Sequence, residues 1–405
     1  MNIFKLSYRN MTSRPLSTAL SLILLTLGVG IIALLLQINH HIQQQMENNV
    51  QGIDMVVGAK GSPLQLILSA VYHIDTPTGN IPLQEAEQLQ NNRLVASGIP
   101  LSYGDSYKGY RIVGTNHKYP QLYEASVTIG RLWQKPFEVT VGATVAENLN
   151  LGVGDTFVGS HGMTDGGEVH KEHSYQVVGI LSYTNSVLDQ LIITATESVW
   201  EVHHHYEEGA EQPSETTEHH DHPAQGGKNH TEEEHEDQKE ITAMLIQFRN
   251  PLALMQLPRI VNENSNMQAA VPAYEISRLF SLMGVGIDTL STIALVIMLV
   301  SGLSVFISLY NALKDRQYEM ALMRSYGSTR WQLVWLVLQE GLLLTLTGYL
   351  LGVLFSRIGL WLVSGLVKAG YHYSFSGQVW LREESWLLAV ALAIGLLASI
   401  LPAIR

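Results

Sequence analysis

Four apolar stretches dominate what this 405-residue chain can fold into: residues 16–36, 289–313, 331–367 and 386–404. Three of them carry no charge, and the third is interrupted only by Glu340 and Arg357. A helix needs about 20 such residues to cross the hydrocarbon core of a bilayer. A soluble core helix would show a polar face at 3.6-residue spacing, and none of these does. Charged residues make up 15% of the chain, against about 25% in an ordinary soluble one.

The first stretch reads as an uncleaved helix rather than a cleaved leader. Lys5, Arg9 and Arg14 could form a positive region, but the apolar run is too long. Leu34, Leu35, Leu36 and Gln37 offer no small-residue cleavage site. Residues 1–15 set Ile3, Phe4, Leu6 and Met11 beside those three cations, as in a short amphipathic helix on a membrane surface. Lys314, Arg316, Arg324 and Arg330 lie between the second and third stretches, and Arg405 follows the fourth. With four spans all these cations fall on one side, which makes that side, and the amino terminus, cytoplasmic. The third stretch would be about 55 Å long as a helix, too long to lie wholly in the membrane. Its start is expected along the cytoplasmic surface and its end beyond the outer one.

The expected spans are 16–39, 284–312, 333–367 and 386–405. A cytoplasmic segment fills 313–332 and a short outer loop fills 368–385. Residues 40–283 form a domain rather than a loop. Residues 139–141, 156–158, 175–181 and 191–194 read as strands, and 84–91, 143–149 and 251–264 as helices, which makes it α+β. The Gln-rich residues 40–51 continue the first helix outward, and 272–283 lead into the second. Residues 58–81 hold an apolar helix-like run after a Gly/Pro turn. It reads either as a core helix or as a lipid- or substrate-facing segment.

Residues 201–240 differ from everything around them. They hold His203, His204, His205, His219, His220, His222, His230 and His235, eight of the 16 histidines. They also hold 13 acidic residues against Lys228 and Lys239, a net of −11 in a chain of −12. Such a segment buries too little apolar surface to offset its ordering entropy, so disorder is expected. Imidazole and carboxylate are ligands for Zn2+, Cu2+ and Ni2+, and a His-rich tract is a compositional metal signal. The eight histidines are therefore candidate metal ligands, with a solvated acidic linker as the alternative. His161, His170 and His173 form a weaker candidate group.

Several chemistries have no motif here. The chain has no cysteine, which removes disulfides, thiolate zinc sites and Cys nucleophiles. It has no G-x-x-x-x-G-K-[ST], H-E-x-x-H or G-x-S-x-G pattern. Its net charge argues against nucleic acid as a partner. The intramembrane charges Asp288, Glu340 and Arg357 fall near span ends rather than mid-membrane, unlike an ion-driven carrier.

Residues 311–352 read NALKDRQYEMALMRSYGSTRWQLVWLVLQEGLLLTLTGYLLG. This resembles the signature region of MacB/FtsX-type (type VII) ABC transporter permeases, matched at Asn311, Arg316, Glu319, Arg324, Gly327, Glu340, Gly348 and Gly352. Met323 stands where the family pattern has leucine. Residues 6–31, 142–158 and 175–181 are similar to the family's start and to the core of its periplasmic domain. The resemblance leaves out the His-rich insert. Family members often continue a little beyond the position of Arg405 into a cytoplasmic tail.

The resemblance implies a membrane α-helical fold of four transmembrane helices, with a large α+β periplasmic domain inserted between helices 1 and 2. It implies a non-catalytic inner-membrane subunit, a homodimer or a heterodimer with a similar permease. A separate ABC ATPase binds ATP; the permease holds no covalent cofactor. ATPase closure would push on Lys314, Arg316, Glu319, Met320, Met323, Arg324 and Gly327. The push would reach the periplasmic domain by mechanotransmission, with membrane lipid and a periplasmic or outer-membrane protein as further partners. Metal-linked envelope transport, with Zn2+ at the insert, is the first expectation. Lipoprotein extraction or peptide/drug efflux with an incidental His-rich loop is the second, and a membrane-anchored metal sensor or sink the third. A role in activating a cell-wall hydrolase fits less well, because division-linked members have a small outer domain.

Overall fold

The computed structural model describes residues 15–160, 169–202, 239–315, 317–371 and 380–404. The amphipathic helix expected over 1–15 therefore lies, but for its last residue, outside the described residues. The chain divides into two compact units. One comprises the chain up to Gln44 together with Phe280 onward, and the other is Gln45–Leu279.

Four helices are long and apolar enough to cross a membrane. They are α1 (Pro15–Val50), α7 (Pro272–Asp315), α9 (Arg330–Tyr371) and α10 (Arg382–Ile404). The expected outer loop over 368–385 is shorter than drawn, because α9 runs on to Tyr371 and α10 begins at Arg382. Small residues let these helices approach closely, as membrane helices do without a hydrophobic drive between them. Ser17 and Ser21 on α1 meet Ser308 and Ser304 on α7, with Oγ–Oγ distances of 2.9 and 3.0 Å. A Cβ on Gly30 of α1 would lie 3.1 Å from the Gly352 carbonyl of α9. Leu25, Val29, Ala33, Met298, Tyr349, Leu387 and Ala391 fill the centre of the bundle. The outer face of α7 stays apolar and exposed at Val285, Ile293, Val296, Leu299 and Leu303.

The second unit is a mixed α+β domain. Its strands run in the order β12-β1-β11-β3-β4-β9-β6-β8-β5, with β7 on β3 and β8. The order is set by β1 (Met55–Ala59), β3 (Val95–Tyr107), β4 (Tyr110–Thr115), β5 (Val127–Gly130) and β6 (Glu138–Val141). It is completed by β7 (Thr156–Ser160), β8 (Val169–Leu181), β9 (Ile192–Ala195), β11 (Ala243–Phe248) and β12 (Met267–Ala270). A separate two-stranded ladder joins β2 (Ile81–Pro82) to β10 (Glu240–Ile241). Most pairs are antiparallel, but β4 lies parallel to β9 and β6 to β8.

Two core clusters stand out among the described residues of the domain. The first packs Met55, Val57, Ile81, Met244, Ile246 and Leu257. The second packs Ile112, Val139, Val141, Phe157, Tyr175 and Ile192. The apolar run after residue 58 is α2 (Pro63–Ala70), with the Ser62 side chain at its amino end and Pro63 inside the first turn. It buries Leu66, Ile67 and Ala70 in the domain, which settles it as a core helix.

Residues 45–50, the last turns of α1, are fixed within this second unit. Asn49 Oδ1 accepts from the Val187 N–H at 2.7 Å, and the Asn49 carbonyl accepts from Tyr123 Oη at 3.0 Å. Tyr72 Oη donates to the Met46 carbonyl at 3.2 Å. Gln45 and Asn48 both donate to the Asn185 carbonyl. The bond to the Asn49 carbonyl satisfies an acceptor that a helix end otherwise leaves open.

The His-rich segment as drawn, 201–240, includes four residues that belong to the fold. A helix runs over 196–202, and Val202 is buried. The Lys239 carbonyl accepts from the Leu83 N–H at 2.9 Å, and Glu240 pairs with Pro82. Val202 and the β10 ladder are apolar or backbone-paired, so composition averaged over the segment hid them.

Candidate coupling site

Between α7 and α9 lies the short helix α8 (Gln317–Ser325). Its end is built from backbone. The Gly327 N–H donates to the Arg324 carbonyl at 3.0 Å, and the Ser328 N–H to the Met323 carbonyl at 3.1 Å. That is the paired pattern of a Schellman stop. It needs a left-handed residue at Gly327, whose φ is 96°. The next helix starts two residues later with a reciprocal cap. Thr329 Oγ1 accepts from the Gln332 N–H at 3.3 Å, and Gln332 Oε1 accepts from the Thr329 N–H at 2.9 Å. Orphan groups on both sides of the elbow are thus satisfied, and the turn is stiff.

Lys314, in the last turn of α7, is exposed, as is Arg324 on α8. Arg316 lies outside the described residues, and Glu319 falls in the first turn of α8. Met320 and Met323 are half-buried. The exposed apolar face is a different one. Tyr318, Leu322 and Tyr326 recur at i, i+4 and i+8, which sets them on one side. Tyr318 is 81% and Tyr326 84% exposed. Trp331, in the first turn of α9, is 81% exposed. The resemblance points to Met320 and Met323 and not to these aromatics, whose four-residue spacing is the sequence signal that marks them.

A second polar feature lies inside the helical unit. Glu384, in the first turn of α10, is fully buried. Arg357 of α9 donates to Glu384 Oε2 at 2.8 Å, and Gln37 of α1 donates to Oε1 at 2.9 Å. Tyr349 Oη donates to the Glu384 backbone carbonyl at 3.0 Å. The carboxylate also sits at the positive end of the α10 dipole. One side chain therefore ties three helices together. The sequence placed Glu384 in the outer loop, because it precedes the apolar run.

All eight candidate histidines of the insert, His203 to His235, lie outside the described residues. His161 does too, while His170 and His173 are part of β8. Among the described residues, no group of three or more His, Asp or Glu could hold a metal ion.

Two family models match the chain. A model described as the MacB-like periplasmic core domain matches residues 18–217, and one described as the FtsX-like permease C-terminal matches residues 291–405. The chain belongs to the MacB/FtsX-type permease family. The permease is accordingly a subunit of an ABC transporter, a multi-pass membrane protein with a periplasmic domain. Among solved structures it is similar to the periplasmic region of MacB from Actinobacillus actinomycetemcomitans, at 12% identity and a TM-score of 0.35. That match covers 58% of the permease and 98% of the other chain. It is also similar to the extracellular domain of the noncanonic ABC-type transporter YknZ from Gram-positive bacteria, at 11% identity and a TM-score of 0.31. There it covers 53% of the permease and 98% of the other chain. No curated protein matches it.

Proposed function

We propose that this permease transmits ATP-driven motion from cytoplasmic ATPase subunits to its periplasmic domain, inserted between α1 and α7. The observation that carries the reading is the exposed face of Tyr318, Leu322 and Tyr326 on a helix held by a Schellman stop and a capping box. An apolar aromatic face on a rigid elbow suits a partner's groove. Lys314 and Arg324 add cations beside it. Motion of α8 would pass into α7 and α9, and α1 ends in bonds to the periplasmic domain. Glu384 would keep α1, α9 and α10 moving as one body.

ATP is bound and hydrolysed by the partner chain, and the permease is not itself catalytic. The amino terminus is cytoplasmic on the distribution of Lys and Arg. A second permease copy, or a similar permease, covers the apolar outer face of α7, with lipid around the rest. The substrate class is envelope transport linked to metal, with Zn2+ held by His203, His204, His205, His219, His220, His222, His230 and His235. This part of the reading rests on composition: eight histidines in a strongly acidic segment. Lipoprotein extraction or peptide/drug efflux remains the alternative if the insert holds no metal. Cross-linking from α8 to the ATPase tests the coupling reading, and zinc titration tests the metal link.

A further inference from the structure

The periplasmic domain holds a cleft of about 350 Å³, within the usual range of small-ligand sites, about 300–1,000 Å³. Topology places it. The parallel strands β4 and β9 end side by side, Thr115 opposite Ala195, and both open into the cleft. The space outside the carboxyl ends of parallel strands is where open sheets bind ligands. The Thr115 hydroxyl, which donates to the Pro100 carbonyl at 2.8 Å, fixes the floor.

The charged residues of the described lining are acidic. Glu87 and Glu197 contribute carboxylates, both on exposed positions, and no Lys or Arg is among the described lining residues. Two indoles supply the walls. Trp133 is buried, and Trp200 packs against the first core with its Nε1 donating to the Glu240 carbonyl at 2.6 Å. The Trp200 ring already attracts a cation, since Lys239 Nζ lies 5.1 Å from its centroid. His117 Nε2 bonds the Trp133 carbonyl at 2.8 Å. A carbonyl only accepts, so Nε2 is the donor in this bond and the ring is held against the Trp133 backbone.

We propose that this cleft binds an alkylammonium group, such as a lysine side chain of an extended peptide or a free aliphatic amine. Glu87 and Glu197 neutralise the charge, and the indole walls take the apolar stem. The inference goes beyond ATP coupling, because binding at the cleft requires no ATPase.

The test titrates the full chain in nanodiscs with acetyl-Ala-Lys-Ala-amide and with cadaverine, against acetyl-Ala-Ala-Ala-amide. Saturable binding of a lysine or amine probe is expected, with about tenfold or weaker affinity for the uncharged peptide. The exposed double substitution Glu87→Gln with Glu197→Gln should weaken binding by about tenfold while leaving the melting temperature unchanged. Preference for the peptide over cadaverine assigns the ammonium to a peptide, and equal binding assigns it to a free amine. Absence of saturable binding overturns the proposal. So does binding that survives the double substitution but disappears on deletion of residues 203–238, since the acidic insert is then the cation's site.

Discussion

Glu384 is the residue on which the helical unit turns. Removing one member of a buried ion pair leaves the other charge uncompensated, at a cost of about 3–5 kcal/mol. Glu384→Ala should therefore lower the melting temperature of the detergent-purified chain well below that of Glu383→Ala, its exposed neighbour. Equal losses would contradict the tie. In the periplasmic domain the comparable residue is His73. It is buried, bonded through Nε2 to Tyr119 Oη at 2.9 Å, and held well below the usual imidazole pKa by burial first and by Arg111 second. The folded chain keeps His73 neutral where the unfolded chain takes up a proton, below about pH 6.5. Its contribution is thus complete above that pH and is lost as pH falls toward the depressed folded value. Glu138 acts lower down, its pKa pulled to about 2 by hydrogen bonds from Arg131 and from the Gln134 and Lys135 amides. His73 holds a left-handed φ of 56°, which Asn tolerates. His73→Asn should lose less stability than the native chain between about pH 7 and 5. A parallel loss in both would show that His73 titrates normally.

At the scale of elements, period and punctuation carried a good deal. The runs at 139–141, 156–158 and 175–181 fall within β6, β7 and β8, the run at 191–194 overlaps β9 from Ile192 on, and the helix over 143–149 is present. What sequence could not carry was contact between distant segments. Glu384 reads as loop because nothing near it announces Arg357, 27 residues back on another helix. The cleft draws Glu87, His117 and Glu197 from separate elements, with no local signature. The Thr329-x-x-Gln332 cap, by contrast, is a local signal that the sequence itself carries. The outer face of α7 makes a prediction of its own. Val296, Leu299 and Leu303 follow a three-and-four spacing suited to a helix–helix seam. The chain has no cysteine, so Val296→Cys is a clean reporter. Oxidation should yield a disulfide-linked dimer from Val296→Cys and none from the buried Ala294→Cys. No dimer from either would leave that face to lipid.

For the whole molecule, the acidic insert is expected to be removable without loss of the fold. Trp200 and Glu240 are hydrogen-bonded to each other, so the two ends of the insert are anchored by the domain itself. Replacing residues 203–238 with a short Gly/Ser linker should leave the melting temperature unchanged. Removing 201–240 also deletes the buried Val202 and half of the β2–β10 ladder, and should destabilise by about 1–3 kcal/mol. Zinc titration of the full chain and of the 203–238 deletion should show sites lost with the insert. No zinc binding in either would move lipoprotein or peptide substrates to the front.

The central claim is that the exposed face of α8 receives the ATPase. The most direct measurement attaches a photo-cross-linker to Tyr326→Cys in native membranes and sequences the adduct. The account predicts an adduct with a chain bearing G-x-x-x-x-G-K-[ST], in a yield that changes when ATP is added. It predicts no such adduct from Ile129→Cys, exposed on the periplasmic domain. A P-loop chain captured equally from both positions, or from neither, would contradict it.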